Sequence, residues 1–199
     1  FARHLQIPLR VPRAIEMINH SEPISVDYGM INEQPFFCTC GSGFDAMISE
    51  QFAAAGKRGI TTYLQKIIKD LFNYQPENYI LKSDGVNLET KAFLITFANA
   101  NQWGNDAFIA PKASIQDGKM DIFLMSSSAL LGAPALALRL FTKMIDSSLF
   151  MNTIQARDIM LYRESAAPFH LDGDPVEMEK DIHIRIVEDG LRVLAEKRF

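Results

Sequence analysis

Four Asp-Gly pairs constrain this chain more than any other feature: Asp84-Gly85, Asp117-Gly118, Asp172-Gly173 and Asp189-Gly190. Asp-Gly supplies the left-handed backbone of a two-residue hairpin loop, so each pair marks a place where a strand can turn back on its neighbour. The flanking residues have strand character. Ile182, Ile184 and Ile186 alternate with Asp181, His183 and Arg185, the period of a half-buried strand. "PISVDYGMI" and "PFFCTCG" read as two strands around the polar turn "NEQ", and "NYILKSDGVNLETKAFLITFANA" as two more joined near Asp84-Gly85. "DAFIAPKASIQDGKMDIFLM" reads as two short strands with Asp117-Gly118 between them. "NTIQARDIMLY", "PFHLDGDPVEM", "DIHIRIVEDG" and "LRVLAEK" supply the rest, with Asp189-Gly190 a strong hairpin signal.

Helical spacing is confined to a few segments. "VPRAIEMIN" (11–19) has Pro12 near its start, and "FDAMISEQFAAAG" comes directly after the glycine-rich corner Gly41-Ser42-Gly43. "TTYLQKIIKDLF" (61–72) places Leu64, Ile67, Ile68, Leu71 and Phe72 on one helical face, and 131–145 is also helical. With about nine strands, three or four helices and no βαβ alternation, the expected fold class is α+β, mainly β. The expected architecture is an antiparallel β-sandwich with peripheral helices.

At 199 residues the chain is long enough to bury a core without disulfide or metal staples. A net charge of -4 and the lack of a Lys/Arg block exclude nucleic acid as the main partner. Cys38 and Cys40 fall on one face of a strand, as reduced core residues would in a reducing cytoplasm. No signal peptide is visible, and the most apolar stretch, 129–145, is interrupted by Pro134, Arg139 and Lys143. The expected location is cytoplasmic, with peripheral contact at a membrane surface as a further option through the helix carrying those two cations. The chain opens on Phe1 without an initiator Met, which suggests the C-terminal part of something longer.

Four segments, in order, resemble the C-terminal half of the diacylglycerol kinase and sphingosine kinase superfamily of lipid kinases. "FARHLQIP" resembles the segment just after that family's Gly-Thr-Gly-Asn-Asp turn, and "GSGFDAMI" its glycine-Phe-Asp-Ala corner. Residues 98–124 resemble its long signature, an Asn-bearing strand running to Ala-Pro-x-Ala and then Asp-Gly-x-hydrophobic-Asp. "HLDGDPV" resembles its Leu-Asp-Gly-Glu-Pro. The resemblance implies the second domain of the NAD kinase/diacylglycerol kinase-like fold over residues 1–199. An ATP-binding domain with a Gly-Gly-Asp-Gly-Thr motif, absent here, would precede it.

The implied activity is ATP-dependent phosphorylation of a lipid hydroxyl, of diacylglycerol or a sphingoid lipid, by the whole protein and not by this chain alone. Asp172 and Asp174 match the family's acidic pair, whose second member is usually Glu and serves as proton acceptor. Here that residue is one methylene shorter, which changes its reach by ~1 Å and leaves either aspartate eligible as the base. The plain alternative is a hairpin turn with two solvated aspartates. The resemblance also implies a structural magnesium at the second Asp-Gly turn, held by the Asp117 carboxylate and the carbonyls of Ser114 and Lys119, hard oxygen donors suited to Mg2+.

Asp45, at a helix N-terminus, is a substrate-contacting candidate or a first-turn helix acid. Asn99, Asn101 and Trp103 come after a buried strand and are candidates for a lipid cleft. The expected partners are the lipid substrate and ATP, with a homodimer as a further option and no nucleic acid. Two rival readings stand beside this one: a non-catalytic lipid-binding module, and an NAD kinase-like enzyme with a polar substrate.

Overall fold

The computed structural model describes residues 1–55, 70–71, 73–83, 85–103, 107–126, 128, 132–145 and 151–195. Among them are twelve strands: β1 (Pro23–Ile31), β2 (Gln34–Phe36), β3 (Thr39–Gly43), β4 (Glu77–Ser83), β5 (Val86–Ala92), β6 (Leu94–Ala98), β7 (Met120–Met125), β8 (Met151–Ala156), β9 (Asp158–Arg163), β10 (Ala167–Leu171), β11 (Asp174–Met178) and β12 (Asp181–Leu194). Three helices accompany them: α1 (Val11–His20), α2 (Phe44–Ala55) and α3 (Ala133–Phe141). The helix expected over 61–72 lies outside the described residues apart from Asp70 and Leu71, as does Asp84 of the first Asp-Gly pair.

The strands form two antiparallel six-stranded sheets, ordered β2-β1-β12-β9-β4-β5 and β11-β10-β3-β6-β7-β8. The main core lies between them. Phe36, Tyr79, Leu81, Ile159 and Ile184 from the first sheet meet Cys40, Phe97, Met120, Ile122 and Phe169 from the second. The alternation seen around Ile182, Ile184 and Ile186 is the inward face of β12, and all three are buried. The expected antiparallel sandwich is therefore what the chain forms.

Three segments that read as single strands are each split between the sheets. "PFFCTCG" is β2 in the first sheet and β3 in the second; β5 passes into β6 at Phe93, and β8 into β9 at Arg157. An extended chain keeps its β dihedrals while it changes layers, so local periodicity does not register the crossing. One consequence is that Cys38 and Cys40 do not share an environment. Cys40 lies in the main core, whereas Cys38 packs with Leu5, Ile24 and Val26 in a separate cluster.

The Asp-Gly pairs also divide. Ser83 pairs with Val86, so β4 and β5 form a hairpin across residues 84–85. Asp189-Gly190, by contrast, is no hairpin. β12 runs through it as one strand and pairs with β1 on both sides, with a register shift opposite Asp27. Asp189 (φ 49°) is the left-handed residue of this β-bulge. The buried Asp27 carboxylate holds it, accepting the N–H of Asp189 at 2.9 Å and of Gly118 at 2.8 Å. Asp117-Gly118 leads into β7 without a partner strand before it: 108–119 is irregular.

Arg163 joins the two layers. From β9 its guanidinium donates to the carbonyls of Ala167 (2.7 Å) and Met178 and to Ser42 Oγ (3.0 Å), all in the second sheet. Burial pushes its pKa down, and carbonyl dipoles stand in for the water it has lost.

Candidate active site

β10 and β11 form a two-residue hairpin: Leu171 pairs with Asp174, and the loop is Asp172 (φ 51°) and Gly173 (φ 96°). Both central residues are left-handed, which the Asp-Gly sequence tolerates. The two aspartates then part company. Asp172 folds its carboxylate onto the corner where the chain leaves the first sheet for the second. Oδ2 accepts the N–H of Phe37 at 2.8 Å, and Oδ1 accepts those of Cys38 at 2.6 Å and Thr39 at 3.0 Å. Its own N–H donates to the Thr39 carbonyl at 2.8 Å. Asp174, one pairing position away, has an exposed side chain with no hydrogen bond or ion pair among the described residues. Thus Asp172 is committed to backbone donors, and Asp174 is the acid with its acceptor capacity open.

Beside the hairpin lies a pocket of about 500 Å³, walled by Phe44, Ile48, Leu71, Phe93, Leu94 and Met125. Thr39, Asp45, Ser49, Trp103, His170 and Gly173 of the hairpin tip also line it. Asp45 is in the first turn of α2, which starts directly after Gly43 (φ 97°). A Cβ on Gly43 would lie 2.6 Å from the Phe93 carbonyl oxygen, so glycine is required where strand turns into helix. The Asp45 carboxylate accepts the Thr96 hydroxyl at 3.0 Å and the Ala46 N–H at 2.9 Å, and contacts His170 Nε2 at 3.1 Å. Gly41 makes room for that last contact, because a Cβ there would sit 2.6 Å from Asp45 Oδ2 and 3.0 Å from His170 Nε2.

A second cavity, about 260 Å³, shares Trp103 with the first and is lined by Phe1, Arg3, His4, Phe37, Cys38 and Asp172 among others. Trp103 lines both cavities, and the hairpin tip contributes Gly173 to one and Asp172 to the other. Asn101 lines neither. It belongs to a polar depression with Arg3, His4 and Lys143, and its N–H donates to His4 Nδ1 at 3.3 Å. Burial lowers the His4 pKa. Asn99 is a structural residue rather than a cleft wall: it is buried, and its amide donates to the carbonyls of Phe37 (2.9 Å) and Asp27 (3.1 Å).

Ser114, Asp117 and Lys119 are not among the described residues that line the two cavities beside the hairpin. Asp117 is exposed, and its Oδ1 accepts the Lys119 N–H at 3.1 Å. One carboxylate with the carbonyls of Ser114 and Lys119 is a hard-oxygen set that fits Mg2+ in type. No cluster of three or more His, Cys, Asp or Glu occurs among the described residues. Asp121, the second residue of β7, is a buried side chain, its carboxyl pushed up by burial and accepting Gln155 Nε2 at 2.9 Å.

His170 was not singled out by sequence reasoning. Its one available signal is its position two residues before Asp172, because its partner Asp45 lies 125 residues upstream.

Comparison with known proteins places these features in context. Residues 38–195 match the family described as YegS C-terminal NAD kinase beta sandwich-like domain. Over 177 residues the chain is 26% identical to "Probable lipid kinase YegS-like" of Chromohalobacter salexigens, covering 88% of this chain and 57% of that protein. It is 23% identical to "Lipid kinase YegS" of Escherichia coli K12, covering 96% of this chain and 64% of that protein. The chain therefore spans about three fifths of the curated relatives it matches. A crystal structure described as a diacylglycerol kinase from Bacillus anthracis superposes with a TM-score of 0.74 at 18% identity, over 99% of this chain and 63% of that one, a likeness of fold.

Proposed function

The chain belongs to the YegS C-terminal NAD kinase beta sandwich-like family, and from that membership and the geometry of its pocket we propose that it is the lipid-side domain of a lipid kinase. In the whole protein, ATP bound mainly by residues outside this chain donates its γ-phosphoryl group to a lipid hydroxyl. The observation that carries this reading is the apolar pocket with the acidic hairpin at its edge. Its walls take hydrocarbon, and its lining includes Gly173, in the turn that leads to Asp174. Such walls offer little to a polar nucleotide substrate, which counts against an NAD kinase-like activity.

In the proposed step the lipid oxygen attacks the γ-phosphorus, the bond to the bridging oxygen breaks, ADP leaves, and the hydroxyl proton passes to the Asp174 carboxylate. A carboxylate suffices as acceptor because in a loose transition state the alcohol proton leaves late, so position counts for more than basicity. Asp172 fixes the tip from which Asp174 projects. Magnesium, where bound by Asp117 and the carbonyls of Ser114 and Lys119, would rigidify the turn before β7, a structural role.

The test is phosphoryl transfer from ATP to diacylglycerol and sphingoid lipids by the protein made with its own upstream sequence. Asp174→Asn is expected to lower turnover by two orders of magnitude or more while keeping the melting temperature within about 1–2 °C of wild type. Full activity in that variant removes the base assignment. A wild-type protein that phosphorylates no lipid removes the kinase reading.

A further inference from the structure

Where Asp45 and His170 meet, the pocket wall presents acceptors, apart from the Trp103 indole and the Thr39 and Ser49 hydroxyls that line it elsewhere. A carboxylate has no donor, and both Asp45 oxygens already receive protein donors. For His170 Nε2 to make its 3.1 Å contact with Asp45 Oδ2, that nitrogen must carry the ring proton. In the neutral ring this leaves Nδ1 as a bare acceptor. His170 is 3% exposed, and Nδ1 is buried without a hydrogen-bond partner among the described residues. A buried acceptor of this kind stays desolvated until a donor reaches it. The imidazole lines the apolar pocket, two residues along β10 from the hairpin tip, so the missing donor is to be sought on what the pocket binds.

We propose that His170 Nδ1 recognises a hydrogen-bond donor carried by the lipid next to its reacting hydroxyl. Resting on the lipid kinase reading above, this specifies the substrate class. A monoacylglycerol offers a second hydroxyl there, and a sphingoid base an amino group. Diacylglycerol with both other hydroxyls esterified offers only ester oxygens, which accept, and it leaves Nδ1 unpaired. A site built around an acceptor discriminates against a ligand that cannot donate, because the penalty of the unpaired group falls on that ligand alone. Asp45 is the positioning residue: it sets the tautomer and the ring orientation, and Thr96 orients Asp45 in turn.

The experiment uses the protein with its own upstream sequence, ATP, and mixed micelles of monooleoylglycerol, sphinganine or dioleoylglycerol. The expected kcat/KM for monooleoylglycerol or sphinganine exceeds that for dioleoylglycerol at least about tenfold. Which of the two is preferred tells hydroxyl recognition from amine recognition. Two substitutions divide the ring. His170→Asn keeps an acceptor at the position of Nδ1 and is expected to preserve the ratio. His170→Gln keeps a donor for Asp45 but no acceptor at that position, and the ratio should fall close to one.

A wild type that uses dioleoylglycerol as well as the other two lipids overturns the proposal, whatever the variants do. So does a His170→Gln protein that retains the preference while His170→Asn loses it, since the Asp45 contact would then be what matters. A wild type active on none of the three lipids overturns the kinase reading first, and this proposal with it.

Discussion

Replacing Asp172 by alanine should melt the chain early. The carboxylate takes three backbone N–H groups, from Phe37, Cys38 and Thr39, at 2.6–3.0 Å. Hydrogen bonds to charged acceptors can contribute about 1.5–3 kcal/mol, but two of these three are at exposed positions where water can substitute, so about 1 kcal/mol each is the appropriate scale. The sum is about 3 kcal/mol, which for a chain of this size corresponds to a fall in Tm of about 6–12 °C. Asp172→Asn should lose roughly half as much. Its amide oxygen can still serve Cys38 and Thr39, while its NH2 group meets the Phe37 N–H donor to donor. The comparison is Asp174→Asn, an exposed side chain with no bonded partner among the described residues, which should shift Tm by no more than about 1–2 °C. Thermal melts tracked by circular dichroism on the three variants decide the matter. An Asp172→Ala protein that melts within about 1 °C of wild type refutes the reasoning, and Asp172 would then return as a candidate base.

Burial raises the Asp121 carboxyl above its usual range, so the folded state favours the neutral acid and loses stability as pH climbs through the carboxylate range. Asp121→Asn keeps the acceptor for Gln155 and should be more stable than wild type at neutral pH, a gap that urea titrations should see close as pH falls through the carboxylate range. His4 has the opposite sign. Its lowered pKa means the unfolded chain takes the proton first, so stability should fall as pH drops below about 6.5, and His4→Asn should flatten that slope in melts from about pH 7.5 to 5.5. Burial raises both cysteine thiols, Cys40 most strongly with Asp172 and Asp45 adding to the effect. Iodoacetamide at about pH 7.5 should therefore label neither at an appreciable rate until the chain is unfolded, as mass spectrometry would show.

The strands, their antiparallel pairing and the hairpin at Asp172-Gly173 could be read from local pattern because each depends on residues a few positions apart. What could not be read depends on distant partners. The crossings at Phe37–Cys38, Phe93 and Arg157 look like uninterrupted strand. Asp189-Gly190 has the composition of a hairpin loop, and only the fact that both flanks pair with β1 makes it a bulge. The two acids of the candidate site looked interchangeable in sequence. They separate because the Phe37–Thr39 corner, more than 130 residues upstream, engages one of them. The Asp45–His170 pair was hidden for the same reason, and glycine at position 41, which permits it, has no side chain to advertise the role.

The Asp172 clasp bears on the order in which the chain acquires its shape. It closes a loop of 133–135 residues, and the loop entropy of such long-range pairings must be met before their contacts reward it. The corner it grips exists only once β2 and β3 have joined different sheets, so the clasp sets after both layers have docked. The tip beside Asp174 is therefore clamped only in the docked sandwich. A nascent or half-assembled chain would carry the acid without the geometry that the completed sandwich gives it.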